Sequence, residues 1–247
     1  MTAGTTATDM LLQLGEPFTA ESLFDQLPDI VFFIKDTNGR YVCVNRTLVD
    51  RCGLQQKSDL LGKRPAEVLG ETLGRAYEMQ DRHVLTTGQR LVAQLEMHVI
   101  RSRDVGWCMT TKIPLLDPGK AVVGLVGVSQ DLRLPDIATE DFAHIADAVR
   151  YAEKNLSKRP TVEELAEIAG MSVYQLDRRM RRVFGLKTGQ WVLKCRIGHA
   201  SDFLINTNLS IADAALEAGY ADQSSFTRQF RRSTGLSPSE YRKLRRG

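Results

Sequence analysis

The chain writes one eleven-residue sentence twice. Leu176 to Leu186 reads LDRRMRRVFGL and Phe226 to Leu236 reads FTRQFRRSTGL. Both follow one order: a large apolar residue, x, Arg, x, a large apolar residue, Arg-Arg, x, x, Gly-Leu. Apolar residues four apart lie on one face of a helix, and a glycine just past the last of them is a helix stop. Each copy follows a shorter apolar stretch with its own glycine: Leu165, Ala166 and Ala169 before Gly170, then Ile211, Ala212 and Ala215 before Gly219. A repeated unit is usually one structural element, and two copies are too few to stack as a solenoid. The pattern therefore demands a matched pair of short-helix, turn, long-helix units.

On a helical wheel, Leu176, Met180 and Val183 face the core of the first unit, while Tyr174, Arg178 and Arg181 fall on the opposite face. In the second, Phe226 and Phe230 face inward, and Ser224, Arg228 and Arg231 face outward with Thr227 at the flank. Two helices across a tight glycine turn, the second with an arginine-bearing outer face, make a helix-turn-helix whose second helix fits a major groove. Arginine holds guanine through two hydrogen bonds, and further arginines neutralise phosphates.

Charge supports this reading. The chain has 247 residues and a formal net charge of +3, but from Ser172 onward it carries 14 Lys and Arg against 6 Asp and Glu. Positive charge gathered at one end points to an acidic partner such as nucleic acid. The four cysteines, Cys43, Cys52, Cys108 and Cys195, include no C-x-x-C pair, which argues against a zinc cluster or disulfide framework and fits a reducing cytoplasm. MTAGTTATDM has neither a basic n-region nor a following apolar run, and no stretch is long and apolar enough to span a bilayer, so neither export nor membrane insertion is expected. There is no phosphate-binding glycine loop, nucleophile elbow or H-E-x-x-H, and no catalytic or metal site is expected.

The first half has the grammar of strands. VFFIKD, TNG and RYVCVN read as a hairpin turning at Asn38-Gly39. Asn45 is placed to cap a short helix, and a longer one is expected over about 71–87 before Gly88. LVAQLEMHVI puts Leu91, Ala93, Leu95, Met97 and Val99 on one face and Gln94, Glu96 and His98 on the other, where water is expected. WCMTTKIPL alternates likewise, and AVVGLVGVS closes the order β-β, helices, β-β-β. With KDTNGRYVCVN, SDLLGK, a Trp-led penultimate strand and VVGLVGVSQDL, residues 22–134 resemble a PAS domain. The resemblance implies a five-stranded antiparallel sheet cupping a small cavity, used for sensing a small ligand or for dimerising. Phe33, Tyr77, Met97, Trp107 and Met109 are the expected cavity residues. His83 reads as a surface or packing histidine rather than a haem ligand, and the Asn-Cys-Arg of a photoactive flavin site is missing, so neither cofactor is expected.

The second half reads as helices throughout. LAEIAGMSVYQLDRRMRRVFG and SIADAALEAGYADQSSFTRQFRRSTGLSPSEYR resemble the DNA-binding domain of the AraC/XylS family of transcription regulators. The expected fold class is an α+β PAS domain followed by an all-α double helix-turn-helix domain. The expected organisation is an N-terminal extension (1–21), the PAS domain (22–134), a linker (135–139) and the DNA-binding domain (140–247), with units at about 161–185 and 210–234 joined by a helix over 189–206. The family likeness implies double-stranded promoter DNA and RNA polymerase as partners and an activating role, and the PAS resemblance with the short connection at Pro135 implies a homodimer through the PAS domain. By position it implies base reading by Tyr174, Asp177 and Arg178, and by Gln223, Ser224, Thr227 and Arg228, with Arg181, Arg182, Arg231 and Arg232 as further contacts. Asp177 departs from the pattern, since a carboxylate accepts only from a cytosine amino group. Two alternatives stay open: a PAS domain serving only as an interaction module, and a DNA-repair type of enzyme with a reactive cysteine, for which the cysteine spacing is wrong.

Overall fold

The computed structural model describes residues 19–99, 105–132, 135 and 137–246. A short helix α1 (Glu21–Phe24) leads into β1 (Ile30–Asp36) and β2 (Tyr41–Val44). Three helices follow, α2 (Arg46–Arg51), α3 (Pro65–Leu69) and α4 (Glu71–Thr87), and then β3 (Leu91–Val99), β4 (Val105–Leu116) and β5 (Val122–Asp131). The strands form one antiparallel sheet in the order β2-β1-β5-β4-β3. The hairpin turns at Asn38-Gly39 as the sequence requires: Gly39 has φ 74°, and Asp36 Oδ1 accepts from the backbone N–H groups of Asn38 and Arg40.

Asn45 does more than cap α2. Fully buried, its Oδ1 accepts from Phe32 N at 2.9 Å and Leu48 N at 3.3 Å, while its Nδ2 donates to Phe24 O and Ile30 O. One side chain thus ties α1, β1 and α2 together, with the two bonds to its Oδ1 buried away from competing water.

The remainder is helical: α5 (Glu140–Lys154), α6 (Val162–Ile168), α7 (Val173–Phe184), α8 (Thr188–Asn206), α9 (Ile211–Glu217), α10 (Gln223–Thr234) and α11 (Pro238–Arg246). Two apolar cores lie along α8. The first gathers Ile145, Val149, Leu165, Leu176, Met180 and Trp191; the second gathers Ile197, Leu204, Ala215, Phe226, Phe230 and Tyr241. At the turn after α9, Gly219 has φ 83° and a Cβ there would run into the Leu156 carbonyl. Gly219→Ala is therefore expected to destabilise the chain by more than about 1 kcal/mol, read as a Tm lowered by about 2–4 °C or more.

The sheet is covered on both faces, and this inverts one expectation. Leu95 joins the first helical core and Met97 the second, with Trp107 packed against both and Met109 against the first. The apolar stripe of β3 and β4 is thus the seat of the helical region. Met97, Trp107 and Met109, expected in the cavity, lie on the sheet's other face. The polar stripe looks inward: Glu96 is 4 % exposed, and Thr110 and Lys112 are as deeply buried. The side chain of His98 lies outside the described residues.

Candidate DNA-reading surface and the cavity behind it

Each reading helix is fixed at both ends by the residues that punctuate the repeat. Ser172 Oγ accepts from Gln175 N at the start of α7, and the Gln175 side chain accepts from Ser172 N in return. Asp222 Oδ1 accepts from Ser225 N at 2.7 Å at the start of α10. Gly185 and Gly235 close the two helices at φ 70° and 76°. Caps of this kind contribute about 1 kcal/mol each and set where each helix begins. The preceding helices begin in the same way, at Thr161 and Ser210.

With Leu176, Met180, Phe226 and Phe230 buried, the opposite faces are turned to water. Tyr174 is 73 % exposed, Arg178 and Arg181 are exposed beside it, and Gln223, Ser224, Arg228 and Arg231 are exposed on α10, with Thr227 half-buried. The two faces are joined by α8, whose 19 residues span about 28 Å at 1.5 Å per residue. That length is comparable with the roughly 34 Å between successive major grooves on one side of a duplex.

Not every arginine of the repeat is free. Arg179 and Arg182 both bind Asp141 of α5, at 2.9 and 3.1 Å. Asp177 is half-buried, and its Oδ1 accepts from both Thr188 N at 2.9 Å and Thr188 Oγ1 at 2.7 Å, bracing the start of α8. In the second unit, Arg231 lies 3.5 Å from Glu240. Arg232 Nε donates to Gln94 Oε1 of β3 at 3.4 Å, and Gln94 Nε2 donates back to the Arg232 carbonyl at 3.2 Å. The sheet therefore grips the C-terminal end of α10 and leaves its N-terminal end, with Gln223, Ser224, Thr227 and Arg228, uncovered. The sequence holds no signal for this grip, because Gln94 and Arg232 stand 138 positions apart.

Behind the same sheet lies a cavity of about 90 Å³. Phe33 and Tyr77 line it, joined by Lys35, Lys112 and Thr110, for which the sequence carries no signal, and by Glu96, whose alternation places it toward water. Lys35 Nζ meets Asp81 Oδ2 at 2.5 Å, and Lys112 Nζ meets Asp81 Oδ1 at 2.6 Å and Gln80 Oε1 at 2.9 Å, all but sealed from solvent. Burial pushes the Lys35 ammonium down to about 8 against the pull of Asp81, and Lys112 adds to the depression. Asp81 is held below its ordinary value: burial would raise it, but Lys112 and Lys35 together outweigh burial. Glu96 accepts from Gln80, Gln94 and Thr110. His83 is exposed on α4, away from this lining. Among the described residues no cluster of His, Cys, Asp and Glu is arranged to hold a metal ion, and no helix is long and apolar enough to cross a membrane.

Residues 165–244 match the profile of a helix-turn-helix domain family, and residues 24–134 match a PAS fold family. The chain is 33% identical over 98 residues to the HTH-type transcriptional activator AarP of Providencia stuartii, covering 40% of this chain and 73% of that protein. The chain belongs to the AraC/XylS family of transcription regulators. Another AraC/XylS relative is the bifunctional transcriptional activator/DNA repair enzyme AdaA of Bacillus subtilis, 31% identical over 94 residues, which are 38% of this chain and 44% of that one. The virulence regulon transcriptional activator VirF of Yersinia enterocolitica is 32% identical over 93 residues, and the chain spans about a third of its length. Among solved structures, the DNA-binding domain of AdpA in complex with a target DNA is 32% identical, with 40% of this chain and 90% of that one aligned at a TM-score of 0.39. As an AraC/XylS regulator with a PAS domain, the protein binds DNA through its helix-turn-helix region.

Proposed function

We propose that this regulator is a cytoplasmic transcription activator that reads two neighbouring major-groove segments with α7 and α10 and tunes that reading through its PAS domain. The observation that carries the proposal is the pairing of two uncovered arginine faces with a sheet that holds one of them by its far end. Tyr174, Arg178 and Arg181 would read or grip the first segment. Gln223, Ser224, Thr227 and Arg228 would read the second, with Arg231 on phosphate. Asp177 acts as a brace for α8, and Arg182 approaches DNA only if it leaves Asp141. Residues 22–134 would form the sensory and dimerising part and 140–247 the reading part, with RNA polymerase recruited by the bound protein.

Coupling has a short physical route. The cavity-lining Glu96 accepts from Gln94, and Gln94 holds Arg232. A small molecule that displaces Gln80 from Lys112 would disturb the Gln80 bond to Glu96 as well, and would favour an arrangement with this bridge open, provided it binds that arrangement more tightly. An enzymatic role finds no support in the thiols: burial pushes those of Cys43, Cys108 and Cys195 up to about 12, far from the thiolate a reactive cysteine needs.

The test is a salt titration of the full chain on a selected duplex. Six or more neutralised phosphates predict an affinity loss of about 10³-fold or more between 50 and 200 mM salt; a flat titration would count against the reading. Gln94→Ala should release Arg232 and strengthen DNA binding, with the salt slope steeper by about 1 as one more phosphate is engaged. Arg232→Ala added to Gln94→Ala should cancel that gain evenly across sequences. If Gln94→Ala leaves both affinity and slope unchanged, the bridge does not restrain the reading helix.

A further inference from the structure

We propose that the PAS cavity is a binding site for a small organic carboxylate, held by the ammonium groups of Lys35 and Lys112. The proposal deepens the sensory reading above and rests on it for its biological consequence, though not for its chemistry.

The argument begins with the charges around the cavity. Arg51 is paired with Asp131, and Glu78 accepts from the Ala66 backbone N–H. Glu96, one Gln80 side chain away from Lys112, balances the second ammonium in total charge, but its own bonds come from the neutral Gln80, Gln94 and Thr110 and not from either lysine. That leaves two buried ammonium groups touching a single carboxylate, Asp81. Buried ammonium groups whose donors are not all met are costly to hold, and a ligand carboxylate would meet them.

Hydrogen-bond capacity points the same way. An ammonium carries three donors. Among the described residues Lys35 gives one to Asp81, and Lys112 gives one to Asp81 and one to Gln80. Lys35 otherwise lies over the rings of Tyr41 and Phe33, at 4.3 and 4.8 Å from their centroids. Three donors are thus left over, on two side chains that both line the cavity, and a carboxylate's two oxygens can accept them as charge-assisted bonds.

The rest of the lining selects the body of the ligand. Val31, Phe33, Leu48, Leu69 and Leu73 make much of the wall apolar, which suits hydrocarbon better than a solvated inorganic anion. A volume of about 90 Å³ admits on the order of six water-sized positions at 10–15 Å³ each. That fits an acid with a short carbon chain or a single small ring.

The experiment uses the full chain and four probe acids, propionate, butyrate, isovalerate and benzoate, each against its own primary amide. Calorimetry and thermal unfolding should show at least one acid binding on the order of tenfold or more tightly than its amide. The preference should vanish in Lys112→Met and in Lys35→Met. The acid-against-amide comparison in the unaltered chain needs no variant, so a variant that fails to fold leaves the test intact. If no acid outbinds its amide, or if the preference survives in folded Lys112→Met, the proposal is overturned. The affinity for a selected duplex is measured with and without the bound acid in the same series. An acid that binds at the lysines yet leaves DNA affinity unchanged would sink the sensory reading while the ligand class stands.

Discussion

Replacing Arg178 and Arg228 together by alanine should lower affinity for a selected duplex by on the order of 10²- to 10⁴-fold. Each arginine projects from the exposed face of its reading helix, opposite buried Leu176 and Met180 in one unit and Phe226 and Phe230 in the other. A bidentate arginine–guanine contact is worth about 1–3 kcal/mol of discrimination. The two sites lie in separate units joined by α8, with no shared partner, so their costs should add. The loss should also be local in sequence space. Each single variant should relax base preference at one position, and the two relaxed positions should lie about one helical turn of DNA apart. Binding-site selection with the single variants reads this directly, and an unchanged preferred sequence in both would sink the assignment. Arg179→Ala is the internal contrast: half-buried and bonded to Asp141, it should cost stability and leave base preference alone.

The helical region was legible in the sequence because its signals are local. A helix stop is written by one glycine, so Gly185 and Gly235 mark the C-terminal ends of α7 and α10 within a residue. The hairpin at Asn38-Gly39 was legible for the same reason. What was not legible is what depends on which element covers which. Alternation along β3 separates Leu95 and Met97 from Gln94 and Glu96, and it does so correctly. It cannot say that the apolar side will meet another domain rather than a cavity. An apolar stripe buried against helices and one lining a pocket have the same periodicity, so the alternation of Met97, Trp107 and Met109 does not tell one from the other. The lysines were invisible for a related reason. Lys35 and Lys112 sit in strands where a charged residue ordinarily faces water, and only the fold brings both to Asp81.

That cluster sets the largest expected effect on stability. Asp81→Asn should destabilise the chain by about 3–5 kcal/mol, because it leaves two buried ammonium groups with no carboxylate between them. Lys35→Met should cost less than half as much, since it removes one of two cations and leaves a one-to-one pair of Lys112 and Asp81. The pH dependence of these differences carries the sign of each shift. Asp81 titrates lower in the folded chain than its ordinary 3.8, so the advantage of the wild type over Asp81→Asn is complete above that value. It fades as pH falls through the depressed folded value. Lys35 behaves oppositely. Its folded value of about 8 lies below its ordinary 10.5, so between these limits the unfolded chain binds more protons than the folded one. The wild type should therefore gain on Lys35→Met as pH climbs from about 8 to 10.5. Taking the difference between two chains that share every other group cancels groups that do not touch Lys35, such as the Cys108 thiol, whose raised value acts in the reverse direction over the same range. A difference curve that stays flat from pH 8 to 10.5 would mean that Lys35 keeps its ordinary affinity for protons when buried. If Asp81→Asn proved as stable as Lys35→Met, the carboxylate would not be the group that holds the two ammonium ions in place.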